Sequence, residues 1–335
     1  MPTTTTKTVK SSGGDYTSIS GFEAGEQADL VAGDKILQAE CYNFADSTSV
    51  TIDGWTTDAT RYIRIYAEPT ANRHAGIWST SKYRLSVSSF SNCMVISEDY
   101  VRIEGLQVED TVDSAYLFHT VSTGTAANSD IRIDSCLGRR GGKGGVGTNW
   151  LSSGKVTISN CAFYRTGAAN SPAIRVSQNS NAPTVNIYNC TVSGGTTYGI
   201  SQGATSTLVV KNTYVGNNTT DAYTGSMTLT NCAHDTATSF TGSTASTNYS
   251  TSAGAYFTNI TSGSEDYHIQ SSSTLIDAGT DMSGTYTNDF EGGTRSGTFD
   301  IGADEFVSAG GGRTTKNTRS WPLGVEIGMN WRVEV

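Results

Sequence analysis

Between residues 131 and 232 one short pattern of apolar and polar positions occurs five times. The copies are Ile131-Arg-Ile-Asp-Ser-Cys136, Val156-Thr-Ile-Ser-Asn-Cys161, Val185-Asn-Ile-Tyr-Asn-Cys190, Leu208-Val-Val-Lys-Asn-Thr213 and Met227-Thr-Leu-Thr-Asn-Cys232. Positions one and three are apolar and positions two and four mostly polar, which predicts a short strand with one face inward. Position five is Asn in four of the copies, the residue type that most readily takes a left-handed bend. Position six, usually Cys, then points back inside. Successive copies begin 25, 29, 23 and 19 residues apart. Repeats in that range stack, each burying its apolar face only against its neighbours. The pattern therefore predicts one coil of a parallel β-helix per copy.

The same alternation marks Tyr62–Glu68, Met94–Leu106 and Ala173–Val176, so the array begins before the clear repeats. Upstream, Lys7–Lys10 reads as a first strand and Ser11–Asp15 as a turn. Thr17 or Ser18 is placed to N-cap a short helix running towards Leu30, with Phe22 and Ala24 packing inward. An open stack exposes sheet edges and an apolar end, so a terminal cap is expected. Asp34–Cys41 reads as the next strand. After Cys232 the pattern loosens into Ser, Thr and Gly, then Tyr267–Gln270 and Leu275–Gly279 read as a restored rung. Residues 308–318 have a flexible-linker composition. They lead to Trp321–Val335, an aromatic segment that alternates like a strand. The expected division is an arm and cap over 1–45, a β-helix over 46–306, and a linker with an attachment strand over 307–335. At the sheet spacing, about nine rungs make a block roughly 40 to 45 Å tall.

Only 36% of the residues are hydrophobic and 16% charged, a profile that reads as disorder unless the apolar residues are concentrated in strands, as they are here. A net charge of −9 argues against nucleic acid as a general partner. No segment approaches the continuous apolar run of a membrane span, and the start has no hydrophobic stretch of the secretory kind. Four of the six cysteines, Cys136, Cys161, Cys190 and Cys232, fall at position six, and free thiols packed as small hydrophobes are the expected state. No Cys/His spacing of the zinc type occurs, so no metal and no cofactor is expected.

The ending Leu275-Ile-Asp-Ala-Gly279 with Asp300-Ile-Gly-Ala-Asp-Glu-Phe306 resembles the closing segment of right-handed parallel β-helix proteins of the pectate-lyase-like superfamily. The opening Gly13–Ala24, followed by Gln38–Tyr42, resembles the N-terminal cap of β-helix proteins from bacteriophage and viral-metagenome structural regions. The resemblance covers roughly residues 8 to 306. It implies an all-β, right-handed solenoid with a short N-terminal capping helix and a C-terminal extension, and it leaves the role open, because lyases, hydrolases, adhesins and virion parts share this fold.

An enzyme of this fold needs acids on one solvent-facing sheet. The candidates are Glu109, Asp110 and Asp113, beside Glu104. Glu109 and Asp110 are sequential and so face opposite sides of a strand, and a solvated acidic loop is the plainer reading. No adjacent Asp pair of the calcium-gripping kind is present. Asp277, Asp281, Asp289, Asp300, Asp304 and Glu305 surround Arg295; calcium suits such oxygens, and the alternative is that Arg295 pairs with Asp289 or Asp300 and pins the final loops over the open end. Gly141–Thr148 lacks the Lys-Ser/Thr pair of a phosphate loop. Arg139, Arg140 and Lys143 read instead as a basic loop projecting between rungs, able to touch a partner. Trp55, Trp78 and Trp150 with Tyr62 and Tyr83 are a possible sugar platform or ordinary packing. Asn160, Asn189, Asn212 and Asn231 are expected to be structural.

The expected function is that of a non-enzymatic virion protein, a capsid decoration or cement protein whose partner is a major capsid or other virion protein. Attachment falls to Trp321, Leu323, Val325, Ile327, Trp331 and Val333, by strand addition to a partner's sheet edge. Trimeric assembly enters through the resemblance alone. The alternatives are a tailspike that binds or degrades a surface glycan, placing the protein on the particle, and a secreted bacterial adhesin, placing it outside the cell.

Overall fold

The computed structural model describes residues 1–308 except 70, 122–128, 150–153, 165–170, 177–182, 195–196, 204–205, 219–220 and 235–254. The attachment strand expected over 321–335 lies outside the described residues. Three parallel sheets run along the molecule, with nine, eight and seven strands. Each coil visits them in a fixed order, sheet one, then sheet two, then sheet three. Lys155–Ser159, Ala162–Tyr164 and Ile174–Val176 make one such coil. Every strand in the three sheets pairs in parallel with the strand one coil away, as Ile131–Val156–Val185–Leu208 do in sheet one. The chain is therefore a parallel β-helix, all-β apart from one short helix.

The six-residue repeats are the sheet-one strands together with the corner that follows. Their apolar positions stack inward as Ile133, Ile158, Ile187 and Val210, all fully buried. Each such side chain contributes about 1.5–3 kcal/mol by burial. At the corner, Ser135, Asn160, Asn189, Asn212 and Asn231 have φ between 47° and 53°. This left-handed residue swings the chain from sheet one into sheet two, and Asn tolerates it better than most residues. The side chain of Asn212 also donates to Asn189 Oδ1 at 3.0 Å, and that of Asn160 to Asp134 Oδ1 at 2.9 Å. The next residue is Cys or Thr, and all six cysteines are buried and free.

Sheets two and three are built from shorter strands, many of only three residues. Their packing depends on matched sizes between coils. A Cβ on Gly138 would lie 2.5 Å from the Phe163 ring, so the bare glycine of one coil makes room for the phenyl ring of the next.

At the N-terminus, Thr3–Val9 is already a strand of sheet one, paired with Lys35–Cys41. The expected arm is thus the first strand of the stack. Ser18 caps a helix over Ile19–Glu26, accepting from Gly21 N at 2.9 Å. The helix stops at Glu26, short of Leu30. Ile19 and Phe22 are buried and Ala24 is exposed, because Ala24 lies on the face turned from the stack. Phe22 stacks on Trp55 with centroids 6.2 Å apart and closes the end of the core.

The C-terminal part departs from expectation. Asp266–Ile269 does not restore a rung; it pairs antiparallel with Phe257–Asn259 outside the solenoid. Residues 255–306 form a lateral strap over the outer face of sheet two. Tyr164, Tyr214 and Ala233 of that face share a buried cluster with Tyr256, Phe257, Tyr267, Leu275 and Ile301 of the strap. Leu137 and Ala162 pack on Phe290 and Ala303. The strap covers the flank of the stack, so Arg295 does not pin loops over an open end. Arg295 is buried, and its ion-pair partner is Glu305 at 3.2 Å, not Asp289 or Asp300. Its guanidinium also donates to the carbonyls of Asn288, Gly302, Ala303 and Asp304. Asp289 and Asp300 are used by backbone N–H groups, Asp300 by those of Asp277 and Phe306.

Candidate functional site

Sheet two presents one outward column that the strap leaves partly open: Ser86, Glu109, Arg139, Tyr164 and Ser193, one per coil and in register. Glu109 is brought here by the two-residue period of Gln107–Asp110, which sends Val108 inward. Both of its carboxylate oxygens are engaged, one by Ser86 Oγ at 2.7 Å and the other by Arg139 Nε at 2.8 Å. The Arg139 guanidinium lies 3.9 Å from the centre of the Trp78 ring. That stack is worth about 0.5–2 kcal/mol, depending on how dry the site is. Trp78 is half-buried, and its indole N–H is buried without an acceptor. One coil along, Tyr164 meets Tyr267 of the strap at 5.3 Å. Burial, then the nearby Glu265 charge, holds the Tyr164 phenol far above its usual range.

The other acidic candidates do not join Glu109. Asp110 points to the opposite side and is fully buried, accepting from the N–H groups of Val112, Ser114 and Ala115 at 2.6 to 3.0 Å. It fastens a turn. Asp113 sits within that turn at φ 52°. The solvated acidic loop is thereby corrected, since Glu109 and Asp110 are buried and bonded. Glu104, on sheet one, is held by a two-bond pair with Arg64. No two of these carboxylates face each other across a groove.

The basic segment is likewise not a projecting loop. Arg139 is a strand residue, Gly141 and Gly142 are buried, and Gly144–Asn149 is a strand of sheet three. A Cβ on Gly142 would lie 2.0 Å from the Asp113 carbonyl, so the corner is closely packed. Only Arg140 and Lys143 are exposed. Of the two readings of the aromatics, packing describes Trp55 and Tyr83, which are buried; Tyr62 lies under Arg102, and Trp150 falls outside the described residues. The partner-binding residues Trp321, Leu323, Val325, Ile327, Trp331 and Val333 also fall outside them.

Sequence reading missed two features. On sheet three, His119 stacks on Tyr116 at 5.1 Å and accepts from Asn92. Burial, then the Lys143 charge, lowers its pKa to about 4. Phe90 is 85% exposed at the corner between sheets two and three. A lone Phe within Ser-Ser-Phe-Ser was the available signal. Among the described residues no group of three or more His, Cys, Asp or Glu is arranged to hold a metal ion. No helix among them is long and apolar enough to cross a membrane.

No family model and no curated protein matches the chain. Among solved structures, one titled "Crystal structure of pectate lyase Pel9A" aligns at 12% identity with a TM-score of 0.43, over 81% of this chain and 88% of that one. At that score the likeness carries no argument about chemistry, and the fold rests on the strand pairing described above.

Proposed function

We propose that this chain is a non-enzymatic structural protein of a phage-like particle, a capsid decoration or cement protein that displays a stiff β-helix. The observation that carries the reading is the use made of the acids on sheets one and two. Glu109, Asp110 and Glu104 are each tied into an ion pair or a turn. A strap of about fifty residues (255–306) is spent on covering a flank instead of shaping a cleft. Such a block works through hydrogen-bonded stiffness, bridging neighbouring shell proteins through its C-terminal segment. The test is to remove residues 307–335 and image purified particles. The shortened chain should stay folded and vanish from the particle surface; full occupancy by it would overturn the attachment role.

A second reading is favoured by the half-buried Trp78 ring beside Arg139, a pairing suited to the apolar face and hydroxyls of a sugar. In that reading the protein is a receptor-binding tailspike. A glycan array and a reducing-end assay separate the two, since the structural reading expects neither binding nor cleavage.

A further inference from the structure

Three successive coils turn from sheet two into sheet three through residues 88–92, 111–115 and 140–143. Register holds on both sides of these turns. Val87 pairs with Asp110 and Glu109 with Arg139 before them; Met94 pairs with Phe118 and Tyr116 with Gly144 after them. The turns therefore stack into one ridge. It carries Phe90 and Val112, two of the four large hydrophobic residues exposed among the described residues. One coil further along it carries the exposed Arg140 and Lys143. Arg139 is committed to Glu109, whereas no carboxylate is paired with Arg140 or Lys143 among the described residues.

The opposite edge of sheet three has the complementary character. There the turns into sheet one carry Asp53, Glu98 and Asp99, joined by Glu23 from the capping helix. Glu23 accepts from Trp55 Nε1 and Asp53 N, and Glu98 from Trp55 N. No Lys or Arg is paired with any of the four among the described residues. Burial, then repulsion from Asp99 and Asp53, pushes Glu98 up to about 7. The N-terminal 61 residues hold nine Asp or Glu against four Lys or Arg. Phe90 belongs to the coil whose sheet-three strand leads directly into Glu98 and Asp99. The two surfaces thus flank the same sheet, within three coil spacings of about 4.8 Å each.

We propose that the ridge of Phe90, Val112, Arg140 and Lys143 docks against the acidic edge, centred on Asp53 and Asp99, of a second copy of this chain. The contact is heterologous, because each copy offers one surface and receives with the other. Phe90 and Val112 supply the apolar centre and the ion pairs fix which edge is met. The proposal holds whether or not the protein sits on a particle, since the purified full-length chain suffices to test it.

The experiment is sedimentation velocity on the full-length chain and its variants at low and high salt. The unmodified chain should associate, less so at high salt because exposed pairs are screened. R140E/K143E and D53K/D99K should each sediment as monomers, and F90S should weaken association at least tenfold. An equimolar mixture of the two charge variants should associate as the parent does, since native ridges meet native edges and reversed ridges meet reversed edges. The chain carrying all four reversals should associate again. A monomeric parent chain, a charge variant that associates like the parent, or a mixture of folded variants that stays monomeric would each overturn the proposal. Circular dichroism identifies the folded variants, and all the substituted side chains are exposed or half-buried.

Discussion

The side-chain amide of Asn212 pairs with the backbone of Thr280 through two hydrogen bonds. Nδ2 donates to the Thr280 carbonyl at 2.8 Å, and Oδ1 accepts from the Thr280 N–H at 2.7 Å. A corner residue selected for its left-handed backbone thereby also anchors the strap. Asn231 repeats half of the arrangement, donating to the Ala278 carbonyl at 3.1 Å. Solenoid and strap are thus joined where the repeat is most regular.

This double role separates two substitutions. Asn212→Gly keeps the left-handed corner and loses the amide, whereas Asn212→Ala loses both. With the bond to Asn189 the amide makes three hydrogen bonds; at about 1 kcal/mol per bond and about 1–2 kcal/mol for a Cβ in the left-handed region, Gly should cost about 3 kcal/mol and Ala roughly 4 to 5. Thermal melts should rank the parent chain above Gly and Gly above Ala. Limited proteolysis should release the strap in both variants.

The fit between Gly138 and Phe163 gives a core test. Gly138→Val places atoms within the Phe163 ring and against Leu117, where a Cβ alone would lie 2.5 and 2.8 Å from its neighbours. Overpacking of this kind costs about 1–3 kcal/mol. Adding Phe163→Val should recover much of the loss, as contacting residues are not additive. A double variant as unstable as the two single losses combined would mean that the ring is not what fills the space.

How far the fold was legible follows from these contacts. The sheet-one strands and their Asn corners repeat locally, so five aligned copies revealed them. Strands of three residues, such as Leu137–Arg139 and Ala162–Tyr164, are too short to show a period of two, and only register with sheet one locates them. The strap was misread as a rung because its partners are distant in sequence: Ala303 N meets Thr191 Oγ1 across 112 residues, and Arg73 meets the Phe290 carbonyl across 217. The opposed directions of Glu109 and Asp110 were readable from strand geometry. Their burial was not, since it comes from Arg139 one coil away and from a turn that folds back on Asp110.

Thiol chemistry checks the packing of the corner column. All six cysteines are free and buried, and burial raises the thiols of Cys41, Cys136 and Cys161 well above their usual range. Inert thiols are expected where neither solvent nor a nearby cation favours the thiolate. A thiol-reactive dye should label none in the native protein and all six in denaturant, with or without prior reduction. Fewer than six in unreduced, denatured protein would reveal a disulfide.

The strap has a second anchor, and it titrates. His268 lies between two carboxylates, with Nδ1 on Asp266 and Nε2 on Glu291. Burial alone would lower its pKa, but those bonds and the Asp304 and Glu291 charges outweigh it and hold the imidazole at about 9. The folded value lies above the unfolded one of about 6.5. The stabilisation is therefore complete below about pH 6.5 and lost as pH rises through about 9. A shift of this size corresponds to at most about 3 kcal/mol. Asp300, pushed up to about 7 by burial, acts in a lower window, between its unfolded value near 4 and 7. Above pH 7 the buried thiols, which ionise first in the unfolded chain at about 8.5, add a fall of their own, so the histidine's part is the difference between the parent chain and a variant lacking it. The melting temperature should drop between pH 7 and 9.5 in the parent chain. In His268→Gln it should start lower and fall less over the same range, the thiols alone contributing. An equal drop in the variant would assign the titration to another group.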